Sequence, residues 1–124
     1  MTDTDFDLNA PERLHDRAQV LVYRPGAGPS LEWITANEED GGWLEALQGL
    51  VGGLIDRVYL GRFALIIDDE GLCKEYAPTM LIPDIGLLVG PVVVMALTKE
   101  NFRGLTPSEV VAVKAIIEEH IELL

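Results

Sequence analysis

Residues 87–97 read LLVGPVVVMAL and form the longest apolar stretch of the 124-residue chain. Polar and apolar side chains do not alternate within it, so a strand here would need to be covered on both faces. Pro91 has no amide proton to donate, which predicts a bulge or an unpaired edge position at that point. A membrane-spanning helix needs about 20 apolar residues, more than this stretch provides. The stretch therefore predicts a buried strand within a sheet.

The C-terminal segment carries the clearest helix signal. The run Thr106-Pro107-Ser108-Glu109 combines a capping residue, a proline at the first helical position and a glutamate at the third. Apolar residues then recur at helical spacing and predict a core-facing stripe. These residues are Val110, Val113, Ile117, Ile121 and Leu124.

The segments before residue 87 predict two pairs of strands separated by a short helix. The Pro-Gly-rich run 25–29 predicts a turn, because its prolines lack amide donors and its glycines accept positive φ. Gly52-Gly53 predicts the end of the helix. The expected strands span 19–24, 31–35, 54–60, 62–68 and 72–76, the helix spans about 43–51, and 78–86 is expected to be a loop.

Together these elements predict an α+β fold in one domain over residues 18–124. We expect a sheet of about five antiparallel or mixed strands, packed on one face by the short central helix and the C-terminal helix. Residues 1–17 are expected to form an acidic N-terminal tail. The spacing of Asn9 and Glu12 is also compatible with a short helix over residues 10–17.

The composition is strongly acidic, with 21 Asp and Glu against 9 Lys and Arg and a net charge of −12. Such a charge repels nucleic-acid phosphates, so we expect no direct nucleic-acid binding. It would attract a basic protein surface, and we expect a protein partner. A bland alternative is that the acidity only maintains solubility or suits a salty cytoplasm. The single cysteine, Cys73, excludes an internal disulfide, and the acidic start of the chain does not resemble a signal peptide. We therefore expect a soluble, cytoplasmic protein.

The reactive side chains do not predict a catalytic site, a cofactor or a metal. His15 and His120 are too far apart in the sequence to suggest a zinc site, and Cys73 has no CxxC partner. The Asp68-Asp69-Glu70 run lacks the spaced ligands of a calcium loop and is expected to be a solvated turn. Trp33 is expected in the core, together with Trp43; either of them, if exposed, would mark a partner site.

Carboxylates with no evident structural role form the candidate acidic interaction surface. Three glutamates near the end of the C-terminal helix even oppose the helix dipole there. A solvated face explains the same residues. The candidate residues are Glu32, Glu38, Glu39, Asp40, Glu45, Asp68, Asp69, Glu70, Glu118, Glu119 and Glu122.

The order of elements resembles a small domain family of phages, plasmids and bacteria that is known only as a domain of unknown function. The resemblance covers about residues 20–120. It depends on the helix ending in Val51-Gly52-Gly53, the Asp69-Glu70-Gly71 turn, the Val89-Gly90 strand start and the approach to the last helix over 102–109. The family often has a basic residue after the turn glycine and an Asn-Arg pair after the next proline. This chain has Leu72 at the first place and Met80-Leu81 at the second.

The resemblance implies an accessory protein of mobile elements but no activity. Three hypotheses follow for the function. The first is a non-enzymatic protein-binding accessory or regulatory domain. The second is an acidic mimic of DNA that inhibits a host DNA-binding protein, and the third is an enzyme or small-ligand binder with an unrecognised site. A homodimer formed through a strand edge is compatible with each of them.

Overall fold

The computed structural model describes residues 13–14, 17–36, 42–99 and 101–124. Elements are numbered in chain order. The strands are β1 (Arg13–Leu14), β2 (Arg17–Tyr23), β3 (Ser30–Thr35), β4 (Ile55–Leu60), β5 (Phe63–Asp68), β6 (Pro78–Ile82), β7 (Gly86–Val89), β8 (Val92–Leu97), β9 (Phe102–Arg103) and β10 (Glu122–Leu123). The helices are α1 (Leu44–Val51) and α2 (Pro107–His120), with a 3-10 turn at Gly71–Cys73.

The main sheet is built from five long strands in the order β3-β2-β8-β5-β4. Every neighbouring pair is antiparallel. The short strands β1 and β9 pair with β2 and β8 and complete a seven-stranded sheet. The predicted α+β class and antiparallel sheet are therefore confirmed, with β8 as the central strand.

The two helices lie on opposite faces of this sheet, so the expectation that both pack on one face is wrong. Leu47 of α1 packs in one core cluster with Val93 and Met95, whereas Val113 of α2 packs in the other with Val94. Successive side chains of a strand point to opposite faces. The fully apolar β8 therefore has two faces to cover, and one helix covers each.

The apolar stretch 87–97 forms two strands in two different sheets. The chain leaves β7 at Gly90, which has φ +72°, and enters β8 after Pro91. β7 pairs with β6, which in turn pairs with β10, so that a second sheet has the order β10-β6-β7. The expected single strand is thus interrupted where the sequence predicted a bulge or an edge position.

The loop expected over residues 78–86 is wrong, because most of that segment is the β6–β7 hairpin. The prolines lie where a hairpin tolerates them: Pro78 begins β6, and Pro83 lies in the turn. Met80 and Ile82 are buried in the core on the α2 side, which stabilises the hairpin against the main sheet. The strand expected over 72–76 is also wrong, since the chain there forms the 3-10 turn and then irregular backbone.

Helix α2 begins as its sequence predicts. The Thr106 hydroxyl accepts a hydrogen bond from the Glu109 amide at 3.2 Å, and the Glu109 carboxylate accepts one from the Thr106 amide at 3.0 Å. Arg103 also donates two hydrogen bonds of 2.8 Å to this carboxylate. The Arg103 guanidinium is the main reason that the pKa of Glu109 falls to about 2.

The expected acidic tail lies mostly outside the described residues, as does most of the helix considered for residues 10–17. Of that segment the structure describes Arg13–Leu14, which pairs with β2 as strand, and Arg17, which begins β2. In the described part of the chain no helix is long and apolar enough to cross a membrane.

Candidate functional site

The carboxylate of Asp68, at the end of β5, is a buried acceptor and not part of a solvated turn. It accepts hydrogen bonds from the Lys74 ammonium at 2.6 Å and from the Glu70 amide at 2.9 Å. The Tyr76 hydroxyl lies 3.0 Å from it. The hydrogen bond from Lys74 is the main cause that lowers the pKa of Asp68. Asp68 is therefore already engaged within the protein.

Lys74 and Tyr76 connect this carboxylate to the end of α1. Lys74 donates to the Gly52 carbonyl at 3.1 Å, and the Tyr76 hydroxyl lies 3.2 Å from the Val51 carbonyl. Because a phenol carries one proton, Tyr76 can donate to Val51 or to Asp68 at a given moment. The side chains of this cluster join α1, β5 and the 3-10 turn, which is a structural role.

Glycines make room for the cluster. A Cβ atom at Gly53 would lie 2.9 Å from an Asp68 carboxylate oxygen, and one at Gly90 would lie 2.9 Å from the Tyr76 ring. Gly90 also has φ +72°, a backbone conformation that favours glycine. The Val-Gly-Gly and Val-Gly pieces on which the family resemblance depends are therefore the places where backbone packs against this cluster.

An open cleft of about 320 Å³ lies beside the buried carboxylate. One wall follows the turn after β5 and contains Asp69, Glu70 and Leu72, while Leu87 of β7 contributes to the other. The Leu72 side chain is 77% exposed and is therefore available to a partner. Cys73 also lines the cleft and is an exposed, free thiol.

The apolar side of this cleft continues across the small sheet. Leu87 is directly opposite Leu81 of β6, and Leu81 is directly opposite Glu122 of β10. Residues opposite each other in an antiparallel pair point to the same face of the sheet. Leu81 and Leu87 are 41% and 42% exposed, so they form a solvent-facing apolar pair.

Acidic side chains also occur beyond the other end of this pair. Leu81 shares a second hollow, of about 350 Å³, with Glu119, His120 and Glu122. Exposed leucines thus lie between two groups of carboxylates. We refer to this surface as the acidic–apolar face; it consists of Asp69, Glu70, Leu72, Leu81, Leu87, Glu119 and Glu122.

The structure divides the eleven predicted surface carboxylates into several groups. Glu38, Glu39 and Asp40 lie outside the described residues. Asp68 is buried, and Glu32 is half-buried in an ion pair with Arg24 at 2.6 Å. The remaining six are exposed: Glu45, Asp69, Glu70, Glu118, Glu119 and Glu122. Four of these belong to the acidic–apolar face, and Glu45 lies on α1. Glu118 lies near Tyr23: burial raises the pKa of Tyr23 to about 12, and the charge of Glu118 makes a smaller contribution.

The other residues considered in the sequence have separate locations. Among the described residues, no group of three or more His, Cys, Asp and Glu side chains could hold a metal ion. His120 is exposed at the end of α2, and His15 lies outside the described residues. Trp43 is buried in the core as expected, but Trp33 is 45% exposed on β3, so that half of the core expectation is wrong.

Sequence reasoning missed the leucines of the acidic–apolar face. Leu81 and Leu87 were placed in a loop and in a fully covered strand, and only the pairing of β6 with β7 brings them together on an exposed face. The available signal was the departure at Leu72 and Leu81 from the pattern that the family resemblance implied.

The chain belongs to the DUF3846 family, a domain of unknown function whose model matches residues 18–119. This confirms the resemblance to a family that is known only as a domain of unknown function. A search of curated proteins found no match to the chain. A search of solved structures found none either.

Proposed function

We propose that this domain is a non-enzymatic protein-binding module of accessory or regulatory type, and that its partner binds to the acidic–apolar face. The observation that carries the proposal is the position of three exposed leucines, Leu72, Leu81 and Leu87, between carboxylates at both ends. An exposed apolar patch with a polar rim is typical of protein interaction sites.

The chemistry of this face defines the partner. Apolar side chains of the partner would pack on the leucines, while Lys or Arg on either side would approach Asp69 and Glu70 at one end and Glu119 and Glu122 at the other. The apolar contacts would supply most of the affinity, and the charges would speed up association and select basic partners. A cytoplasmic protein carried by a mobile element, with a host or element protein as its partner, fits this proposal and the family resemblance.

The same observation favours a protein partner over the other two hypotheses. A mimic of DNA would need carboxylates arranged like phosphates, but Asp68 and Glu32 are already paired with cations, and the four carboxylates of the face flank leucines. An enzyme would need reactive groups that converge in a pocket. The polar cluster of Asp68, Lys74 and Tyr76 does not meet this requirement, because its side chains hydrogen-bond to one another within the protein.

Affinity capture from host lysate, with the purified domain as bait, tests the proposal. The informative bait is the double variant L72S/L87S, which removes two leucines of the face. Its matched control is L44S/V111S, because Leu44 and Val111 are also exposed, at 49% and 70%, but do not belong to the face. We expect proteins captured by the wild type to be retained by the control and lost by L72S/L87S.

Salt provides the second measurement. Partners that carry Lys or Arg opposite the carboxylates should be captured more weakly as ionic strength rises, and E119Q/E122Q should reduce this salt dependence. Capture of the same proteins by the wild type, by L72S/L87S and by L44S/V111S would refute the proposal. Recovery of a bound small molecule and no protein would refute the proposal and support the hypothesis of an enzyme or small-ligand binder.

A further inference from the structure

Strand β3 forms an edge of the main sheet and is poorly protected against pairing with another strand. Among the described residues it pairs only with β2, over all six of its residues. Edge strands are usually blunted by charged side chains, prolines or bulges. The sequence of β3, Ser30-Leu-Glu-Trp-Ile-Thr35, contains one charged residue and no proline.

Three side chains of β3 are exposed, Leu31, Trp33 and Thr35, and the first two are large and apolar. Leu31 is 49% exposed and Trp33 is 45% exposed. Leu31 is directly opposite Leu21, which belongs to the core on the α2 side of the sheet. Because side chains alternate along a strand, Leu31 and Trp33 both point to this side, beyond the area that α2 covers.

The charges beside β3 are neutralised locally, in contrast to the chain as a whole. Glu32 forms a two-pronged ion pair with Arg24, with contacts of 2.6 and 3.3 Å. The Arg17 guanidinium lies 4.9 Å from the centre of the Trp33 ring. A second copy of a chain with a net charge of −12 is repelled by most of the surface. Among the described residues, Arg17 and Arg24 oppose this repulsion near β3.

The opposite edge of the sheet lacks these properties. Strand β4 carries the exposed, charged side chains of Asp56 and Arg57 on its two faces. An approaching strand would have to accommodate both charges. Such a pattern is a usual protection against edge-to-edge pairing, so the two edges of this sheet differ in kind.

We propose that a second copy of this chain pairs with β3 in an antiparallel manner, which forms a two-fold symmetric dimer with one continuous sheet. When the pairing is centred on Glu32, Leu31 of each copy is directly opposite Trp33 of the other. Residues opposite each other in an antiparallel pair lie on the same face, so the two leucines and two tryptophans form one apolar cluster. Each Glu32 keeps its ion pair with Arg24 of its own copy, so its charge is neutralised where the two copies meet.

The oligomeric state in solution tests this dimer. Sedimentation velocity of the wild type over a wide range of concentration should show a reversible monomer–dimer equilibrium. Trp33→Lys should weaken the dimer by about tenfold or more, since buried tryptophans contribute strongly to interfaces. Val111→Lys is the matched control, because it replaces an exposed apolar residue by the same cation on α2 and should leave the dimer unchanged.

Salt and hydrogen exchange separate this dimer from other contacts. Two copies of an acidic chain repel each other, so higher ionic strength should strengthen the dimer, whereas it should weaken capture of a basic partner by the acidic–apolar face. The backbone amides of β3 should exchange more slowly as the dimer forms. L72S/L87S should dimerise like the wild type, which keeps this inference independent of the proposed function.

Three outcomes would overturn the inference. The first is a wild type that stays monomeric at the highest concentration reached. The second is a dimer that Trp33→Lys and Val111→Lys weaken equally, and the third is a dimer whose formation leaves exchange of the β3 amides unchanged. Circular dichroism of each variant establishes that it is folded. If Trp33→Lys fails to fold, Leu31→Lys takes its place with the same expected result.

Discussion

Asp68, the last residue of β5, and the two turn residues that follow it, Asp69 and Glu70, lie in opposite environments. The Asp68 carboxylate is buried and accepts hydrogen bonds from Lys74 and from the Glu70 amide. The side chains of Asp69 and Glu70 are exposed and line the cleft of the acidic–apolar face. A strand end places one side chain toward the core and the next toward solvent, so neighbours in sequence serve different purposes.

The difference shows that the number of acidic residues overstates the charge available to a partner. Asp68, Glu32 and Glu109 each form an ion pair within the protein. The carboxylates of the acidic–apolar face are exposed instead, although Glu119 lies 3.7 Å from His120 and Glu70 interacts electrostatically with Lys74. The first group should therefore control stability and the second group should control binding.

The largest expected effect comes from the buried carboxylate of Asp68. Asp68→Ala should lower the free energy of unfolding by about 2–3 kcal/mol, because it removes a buried acceptor of charged and neutral hydrogen bonds. Asp69→Ala, one residue away, should change it by less than about 0.5 kcal/mol, since exposed side chains contribute little. Urea unfolding of both variants measures the contrast. Equal losses for the two would mean that Asp68 has no special structural role.

Glu109 extends the comparison to the start of α2. Glu109→Ala should lower the free energy of unfolding by about 1–2 kcal/mol, because the helix cap and the Arg103 ion pair are both lost. Glu109→Gln keeps an oxygen that can accept from the Thr106 amide and should cost less. Thermal unfolding of the pair measures the contribution of the charge. A Gln variant as unstable as the Ala variant would assign the whole effect to the ion pair.

The smallest effect is a difference in pH dependence. The pKa of Glu109 is about 2 in the folded chain, below its usual unfolded value of about 4.3, so its contribution is present above the unfolded pKa and is lost as the pH falls toward 2. The stability difference between the wild type and Glu109→Gln should therefore narrow as the pH falls from about 5 to 2. Urea unfolding across this range gives the measurement. A difference that stays constant with pH would contradict the lowered pKa.

Much of the fold followed from local signals in the sequence. The capping residues of α2, the glycines after α1 and the β4–β5 hairpin are where they were predicted. These signals act through residues only a few positions apart, so one sequence is enough to detect them. The prediction of a loop over 78–86 was wrong, because the prolines of this segment lie at the start and in the turn of a hairpin. Contacts with distant core residues stabilise that hairpin.

Only part of the candidate site could be predicted, because its other part depends on contacts between residues that are distant in the sequence. The exposed carboxylates near residue 69 and at the end of α2 were identified from the sequence, and with them the buried Asp68, which does not belong to the surface. The leucines between them were not identified, because the exposure of Leu81 and Leu87 depends on how β6 and β7 pair.

By itself, the sequence determined the acidic character, the α+β class, the end of α1 and the start of α2, because composition and capping are local properties. The end of α2 was not determined: the predicted apolar stripe continued to Leu124, but the helix ends at His120 and Leu124 is exposed. Only the tertiary structure decided that α1 and α2 cover opposite faces, that the apolar stretch 87–97 divides between two sheets, and that Trp33 remains exposed at an edge. Each of these depends on which distant residues a side chain contacts. Hydrophobic burial rewards any such contact equally, so only the packing of the whole chain selects among them.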